Sequence, residues 1–351
     1  MMIMQPDQNL QIQEPESVPA SARLEPQLML PAPAYLSRVL IGTGFLALSI
    51  FSAAALVLAY LPSFRGSASQ EQVAAVAVTQ RHADAYASLD LQAKGIYVFD
   101  ASNDTELFKR NPDAQLPLAS ITKVALALTV SEVLPMESTV TISREAVVKG
   151  EGGLTYGERW RVRDLIDYML IVSSNTAAEA LAEAADPLMR AKYPEAPAAE
   201  AIVWRMNLLA QQLGLHATYF INPSGLDESM TQAGALGSAH DIASLFAYAM
   251  RANRDLFAGT SREHATLGAL NMPKKDVHNT NEALESIPNI YMGKTGLTDL
   301  AGGNLAIAFD ASENHPIIIV VLGSTPEGRF DDMKKLVTTT IQELLPAIRP
   351  E

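Results

Sequence analysis

The sequence contains no cysteine. Disulfides, zinc–thiolate sites, iron–sulfur clusters and cysteine nucleophiles are therefore excluded. Basic residues are also scarce: 26 Lys and Arg stand against 39 Asp and Glu, for a formal net charge of −13. Nucleic-acid binding needs a basic face to neutralise phosphates, so this balance argues against it. The six histidines form no HExxH helix, which leaves little room for histidine-ligated metal catalysis. G-x-S-x-G elbows and glycine-rich phosphate loops are missing too. No metal or other cofactor is expected. Apolar residues, by contrast, make up 48% of 351 positions, enough for a sizeable core and two or three structural units.

One apolar run bears on location. From Val39 to Phe64 there is no charge, and Val39 to Leu61 is almost wholly apolar. As a helix that run measures roughly 34 Å, enough to span a hydrocarbon core of about 30 Å. Tyr35 and Tyr60 suit the two interfaces. The rival reading is a cleaved secretory signal, whose apolar region usually covers only about 7–15 residues behind a short basic start. Here the leading tail is long and carries only Arg23 and Arg38, so an uncleaved signal anchor is the expectation. Arg38 and Arg65 flank the run on both sides, and charge alone does not orient it. The expected layout is a disordered tail (1–34) rich in Gln, Pro and Glu, a transmembrane anchor (35–64), a stalk (65–90) and a globular domain (91–351).

Within the globular part, two periodicities alternate. Gly95–Asp100 and Glu106–Lys109 read as strands around a Ser102-Asn103-Asp104 turn. Ile290–Lys294, Asn304–Phe309 and Ile317–Leu322 read as a late antiparallel meander. Helical patterns fill the middle: Ile121–Val133, Val162–Val172, Thr176–Ala185, Ala198–Leu213 and Ala239–Ala252. A last amphipathic helix covers about Phe330–Leu345. Strands early and late with helices between predict an α+β fold: one antiparallel sheet, flanking helices and a helical insert.

Lysine-assisted serine chemistry is what the remaining residues support. Ser120-Ile121-Thr122-Lys123 puts a hydroxyl and an amine on one helical face. A neutral lysine there can take the proton as Ser120 attacks a carbonyl. Unperturbed, only about 0.04% of lysine is neutral at pH 7, so burial or a second cation must lower its pKa. Ser173-Ser174-Asn175 offers a hydroxyl and a carboxamide for proton relay and amide binding, although Asn175 as a plain helix cap explains the same residues. Lys294-Thr295-Gly296 ends a predicted strand. It supplies a second cation, a hydroxyl for a carboxylate, and a glycine that lets another backbone approach.

Ser-x-x-Lys, Ser-x-Asn and Lys-Thr-Gly in this order form the pattern of class A β-lactamases and penicillin-binding proteins. The chain resembles more closely the serine-type D-alanyl-D-alanine carboxypeptidases, the low-molecular-mass penicillin-binding proteins. The likeness extends to Pro117-Leu118-Ala119-Ser120, to Asn222-Pro223-Ser224-Gly225-Leu226-Asp227, and to Ser238-Ala239-His240-Asp241. It also covers Gly293 through Gly302, so that it runs over about 92–340.

The resemblance implies a β-lactamase/transpeptidase-like fold with an all-helical subdomain. Ser120 would be the nucleophile and Lys123 its base. Ser173 would pass a proton to the leaving nitrogen, and Asn175 would hold the substrate amide and Lys123. Lys294 would supply positive field, Thr295 would meet the terminal carboxylate, and Gly296 completes that motif. Backbone N–H groups of Ser120 and Leu297 would form an oxyanion hole, with Leu297 standing where the family often has His or Tyr. Arg329 sits where the family places a carboxylate-binding arginine.

The implied activity is removal of the terminal D-alanine from peptidoglycan pentapeptides through an acyl-serine, with β-lactams as acylating inhibitors. The implied location is the cytoplasmic membrane, with the tail cytoplasmic and the catalytic domain outside. A DD-endopeptidase of the same fold and a non-catalytic penicillin-binding scaffold are the alternatives. No Glu-x-x-Leu-Asn follows Asn175 to suggest a class A β-lactamase.

Overall fold

A computed structural model of the protein describes residues 85–348. The expected tail (1–34), membrane anchor (35–64) and residues 65–84 of the stalk lie outside the described residues. Among the described residues, no helix is long and apolar enough to cross a membrane.

The main sheet has five antiparallel strands: β1 (Gly95–Asp100), β2 (Thr105–Arg110), β3 (Ile290–Thr298), β4 (Gly302–Asp310) and β5 (Pro316–Ser324). Their order is β3-β4-β5-β1-β2, so the late meander joins the early hairpin where Ile96 pairs with Val321. This leaves β3 at an edge. β5 is apolar at consecutive positions because both of its faces are covered. Ile317, Ile319 and Val321 pack with Ile96, Val98, Phe330, Met333 and Leu336. Ile318, Val320 and Leu322 pack with Ile121, Ile242 and Phe246 on the opposite side. The period of two along a strand sorts these sets.

The helices are α1 (Lys123–Ser131), α2 (Arg144–Lys149), α3 (Val162–Ile171), α4 (Asn175–Lys192), α5 (Ala201–Gln212), α6 (Ala239–Asn253) and α7 (Gly328–Ile348). α7 covers one sheet face, and α6 with the remaining helices covers the other. Every residue of α1 from Lys123 to Val130 is buried. A helix that is apolar all round must be enclosed. Each of its leucines contributes roughly 1.5–3 kcal/mol by burial, so the helix carrying Lys123 has little freedom to move.

Two expectations need correction. The helix expected over Ile121–Val133 opens as a 3₁₀ turn, Ala119–Thr122, and its α-helical part stops at Ser131. Ala119 has φ +48°, a left-handed conformation that prevents a regular helix from starting there. Short pairings were also missed: Leu116–Pro117 and Tyr219–Phe220 on Ala235–Gly237, Thr139–Thr141 on Arg159–Arg161, and His264–Leu267 on Lys275–His278. Strands of two to four residues carry too little alternation to be read.

Candidate active site

The 3₁₀ turn explains why Ser120 and Lys123 meet. With three residues per turn, side chains three apart eclipse each other, and Lys123 Nζ lies 2.7 Å from Ser120 Oγ. The same nitrogen lies 2.7 Å from Asn175 Oδ1 and 2.7 Å from the Ser224 carbonyl. Those two carbonyl oxygens can only accept. A neutral amine that donates to both leaves its lone pair for the Ser120 hydroxyl. Lys123 is fully buried, and burial lowers its pKa to about 7, against the pull of Glu179 in the other direction. About half of it is then neutral at pH 7. Burial, not a second cation, is the main cause of this shift.

Ser173 is held in the left-handed region at φ +62°, a strained conformation for a non-glycine residue and one that clusters at functional sites. Its Oγ accepts from Lys294 Nζ at 2.8 Å. Ser174, not Asn175, is the helix cap: its Oγ accepts from Ala177 N at 3.2 Å. Asn175 is thereby released to face Lys123. One three-residue stretch thus serves the sheet-side lysine, the helix and the helical-side lysine in turn.

The sheet contributes its edge. Lys294 Nζ also donates to the Thr295 carbonyl at 2.9 Å. Burial, with Lys123 and Arg329 nearby, holds its pKa well below the ordinary lysine value. These surroundings oppose the ammonium form on which the expected positive field depends, and an anion beside Lys294 favours it. Thr295 Oγ1 is 2.6 Å from Thr280 Oγ1. The half-exposed Leu297 side chain lies at the strand's outer end. Arg329, buried at the start of α7, donates from Nη1 to the Gly296 carbonyl at 2.7 Å. Its Nε finds no partner among the described residues.

The walls are locked together by residues to which the sequence reading gave no role. Asn304 Nδ2 donates to the carbonyls of Pro117 and Leu118 at 2.9 and 3.0 Å, and its Oδ1 accepts from Gly323 N. This pins the chain ahead of Ser120 onto the sheet. Asp227 ties its loop to the end of β3 through Thr298 Oγ1 and Leu300 N. Gly225 has φ +78°, and a Cβ there would stand 2.0 Å from the Ala119 carbonyl, so only glycine fits beneath the Ser120 turn. Asn304 lies inside an apolar strand pattern, where its one signal was being a carboxamide at a core position.

Ser120, Lys123, Ser173, Asn175 and Lys294 thus converge between a helical module and a sheet edge. This fold and site define a class of serine enzymes in which lysine, not histidine, activates the hydroxyl for acyl transfer. The chain belongs to the D-alanyl-D-alanine carboxypeptidase family, peptidase S11, whose model matches residues 78–325, and it is a serine peptidase of that family. It is 30% identical over 234 residues to the D-alanyl-D-alanine carboxypeptidase DacB2 of Mycobacterium tuberculosis, covering 66% of this chain and 75% of the relative. It is 29% identical to a D-alanyl-D-alanine endopeptidase of Pseudomonas aeruginosa, covering 66% and 72%. Among solved structures, it matches penicillin-binding protein D2 of Listeria monocytogenes in its ampicillin-bound form. That match has a TM-score of 0.59 and 28% identity, covering 72% of this chain and 98% of the other.

Proposed function

We propose that the protein is a membrane-tethered D-Ala-D-Ala carboxypeptidase that trims peptidoglycan stem peptides outside the cytoplasm. The carrying observation is the buried Lys123 amine, 2.7 Å from Ser120 Oγ, with a pKa lowered to about 7. Ser120 Oγ attacks the carbonyl carbon of the penultimate D-alanine while its proton passes to Lys123 Nζ. The tetrahedral oxyanion is held by the backbone N–H groups of Ser120 and Leu297, each such donor being typically worth about 3–4 kcal/mol. Ser173 relays a proton to the amine of the terminal D-alanine, the C–N bond breaks, and an ester remains on Ser120. Water then attacks that ester, and Lys123 again takes and returns the proton.

Asn175 holds the substrate amide. Thr295, Lys294 and Arg329 receive the free carboxylate, and an ammonium form of Lys294 favoured by that anion adds to their field. The unpartnered Arg329 Nε, buried next to the Gly296 carbonyl contact, supports a substrate that ends in a carboxylate. The edge position of β3 suits backbone pairing with an extended peptide. The run Val39–Leu61 would hold the domain at the outer face of the cytoplasmic membrane. Because the Listeria relative binds ampicillin, a β-lactam is the expected acylating inhibitor.

Incubation with a peptide ending in D-Ala-D-Ala is expected to release free D-alanine, and Ser120→Ala is expected to reduce that release by about a thousandfold or more. Release that survives Ser120→Ala refutes the reading. Release from cross-linked dimers in preference to pentapeptides would make the protein an endopeptidase instead.

A further inference from the structure

A carboxyl group stands behind the helical wall of the cleft with no role in the steps above. Glu179 lies one helical turn after Asn175 on α4, on the same face, and is only 8% exposed. Beyond it opens a cavity of about 770 Å³ that Glu179 lines with Glu183, Lys149, Asp186, Asn222 and Ser224. Ser224 belongs to both sides of this arrangement. Its carbonyl accepts from Lys123 Nζ at 2.7 Å, and its hydroxyl steadies the ionised form of Glu179. The charged groups acting on Glu179 are Lys123 from α1, Lys149 from α2 and Glu183 from its own helix. Lys149 is engaged elsewhere, 2.8 Å from Glu145, and Glu183 Oε2 accepts from Ser143 Oγ. Lys294, on the opposite wall, responds to Lys123 and Arg329. The Glu179 carboxylate opposes the effect of burial on Lys123.

We propose that Glu179 is a positioning residue for the reaction: its carboxylate, set behind Lys123 across the Ser224 loop, fixes the protonation balance of the amine that accepts the Ser120 proton. The inference rests on Lys123 being the general base. Two opposed effects follow from one charge. An anionic Glu179 stabilises the lysine ammonium, so it lowers the neutral fraction available near pH 7. It also stabilises the ammonium that forms as Ser120 attacks, which makes the neutral amine a stronger base once it is present. Burial raises Glu179 to about 7, beside Lys123 at about 7, so the two groups titrate as a pair over the working range. The cavity lets Glu179 exchange protons with solvent without opening the catalytic cleft.

The test is the pH profile of acylation by a fluorescent penicillin, using the full chain. Measurable wild-type acylation that Ser120→Ala abolishes establishes the underlying reading independently. In Glu179→Gln, the acid limb is expected to move to lower pH by about half a unit or more, while the alkaline plateau falls severalfold, so that the two profiles cross. Glu179→Asp is expected to retain the wild-type limb, and Glu183→Gln, in the same cavity, to leave it in place. A Glu179→Gln profile lowered evenly at all pH values, or unchanged, overturns the proposal. Coupling is also reciprocal. Lys123→Met is expected to raise the midpoint of the Glu179 carboxyl titration followed by ¹³C NMR, and an unmoved midpoint overturns the proposal even if Glu179→Gln fails to fold.

Discussion

On the helical wall of the cleft, Lys123 is fully buried against two carbonyl oxygens with a carboxyl group behind it. On the sheet wall, Lys294 is 2% exposed, and its neighbours are a hydroxyl, a carbonyl and two other cations. Burial disfavours both ammonium forms. Of the two, Lys123 has a counter-charge among the described residues, and it settles near neutrality, where a group both takes and returns protons readily. Lys294 has other cations beside it instead, and an incoming anion favours the charged form that burial and those neighbours oppose. Under the proposed reaction the comparison separates two tasks: the helical wall moves a proton, and the sheet wall answers a carboxylate.

The hardest test of that division is Lys123→Met. Acylation by penicillin and D-alanine release are expected to fall by about a thousandfold or more at pH 7, without recovery at higher pH. The same variant is expected to be more stable. The folded pKa of about 7 lies below the unfolded value near 10.4, so the unfolded chain binds the extra proton between those limits. The penalty on the folded state is full below about pH 7 and is relieved as pH climbs towards 10.4. Lys123→Met is expected to remove that slope and to gain about 2–4 kcal/mol at pH 7, read from urea midpoints at pH 7, 8.5 and 10. A variant that is inactive yet no more stable would place the cost of burying the amine elsewhere.

Much of this division was legible in the sequence. The motif residues Ser120, Lys123, Ser173, Asn175 and Lys294 carry their spacing with them, and β1, β4 and β5 announce themselves by long apolar stretches. The rest was hidden for physical reasons. A left-handed Ala119 has no side-chain signature, so the 3₁₀ turn looked like a plain helix start. Ser174 and Asn175 are both good caps, and only geometry shows which one is used. Glu179 sits in an amphipathic helix where a glutamate ordinarily faces solvent, and nothing local reveals that this one is buried. Arg329 was singled out by its neighbours in sequence, but its bond to the Gly296 carbonyl joins residues 33 positions apart, which is a tertiary fact.

The sheet wall is tested by Arg329→Gln. Removing a charged donor that meets a carboxylate is expected to raise KM for peptides with a free terminal carboxylate by about ten- to a hundredfold, with kcat changed only severalfold. Comparing free and amide-capped peptides sharpens the point: the wild type is expected to prefer the free acid strongly, and Arg329→Gln is expected to lose most of that preference. A variant that loses kcat while keeping the preference would make Arg329 a brace for β3 through Gly296 rather than a carboxylate contact.

The smallest effect is expected where the two walls come closest along the chain. Ser173 faces Lys294 and Asn175 faces Lys123, and Ser174 between them contributes only its bond to Ala177 N. Ser174→Ala is expected to cost about 1 kcal/mol of stability, the usual price of a lost serine cap, or about 2–4 °C in Tm for a domain of this size. Acylation is expected to stay within about twofold of wild type, with the acid limb unmoved, because no proton-bearing group has changed and α4 remains held by its buried face, including Ala177, Ala178 and Leu181. Should Ser174→Ala slow acylation as severely as a lysine variant, the strained Ser173 conformation must depend on the cap, and proton transfer and carboxylate binding would then share one mechanical hinge at this loop.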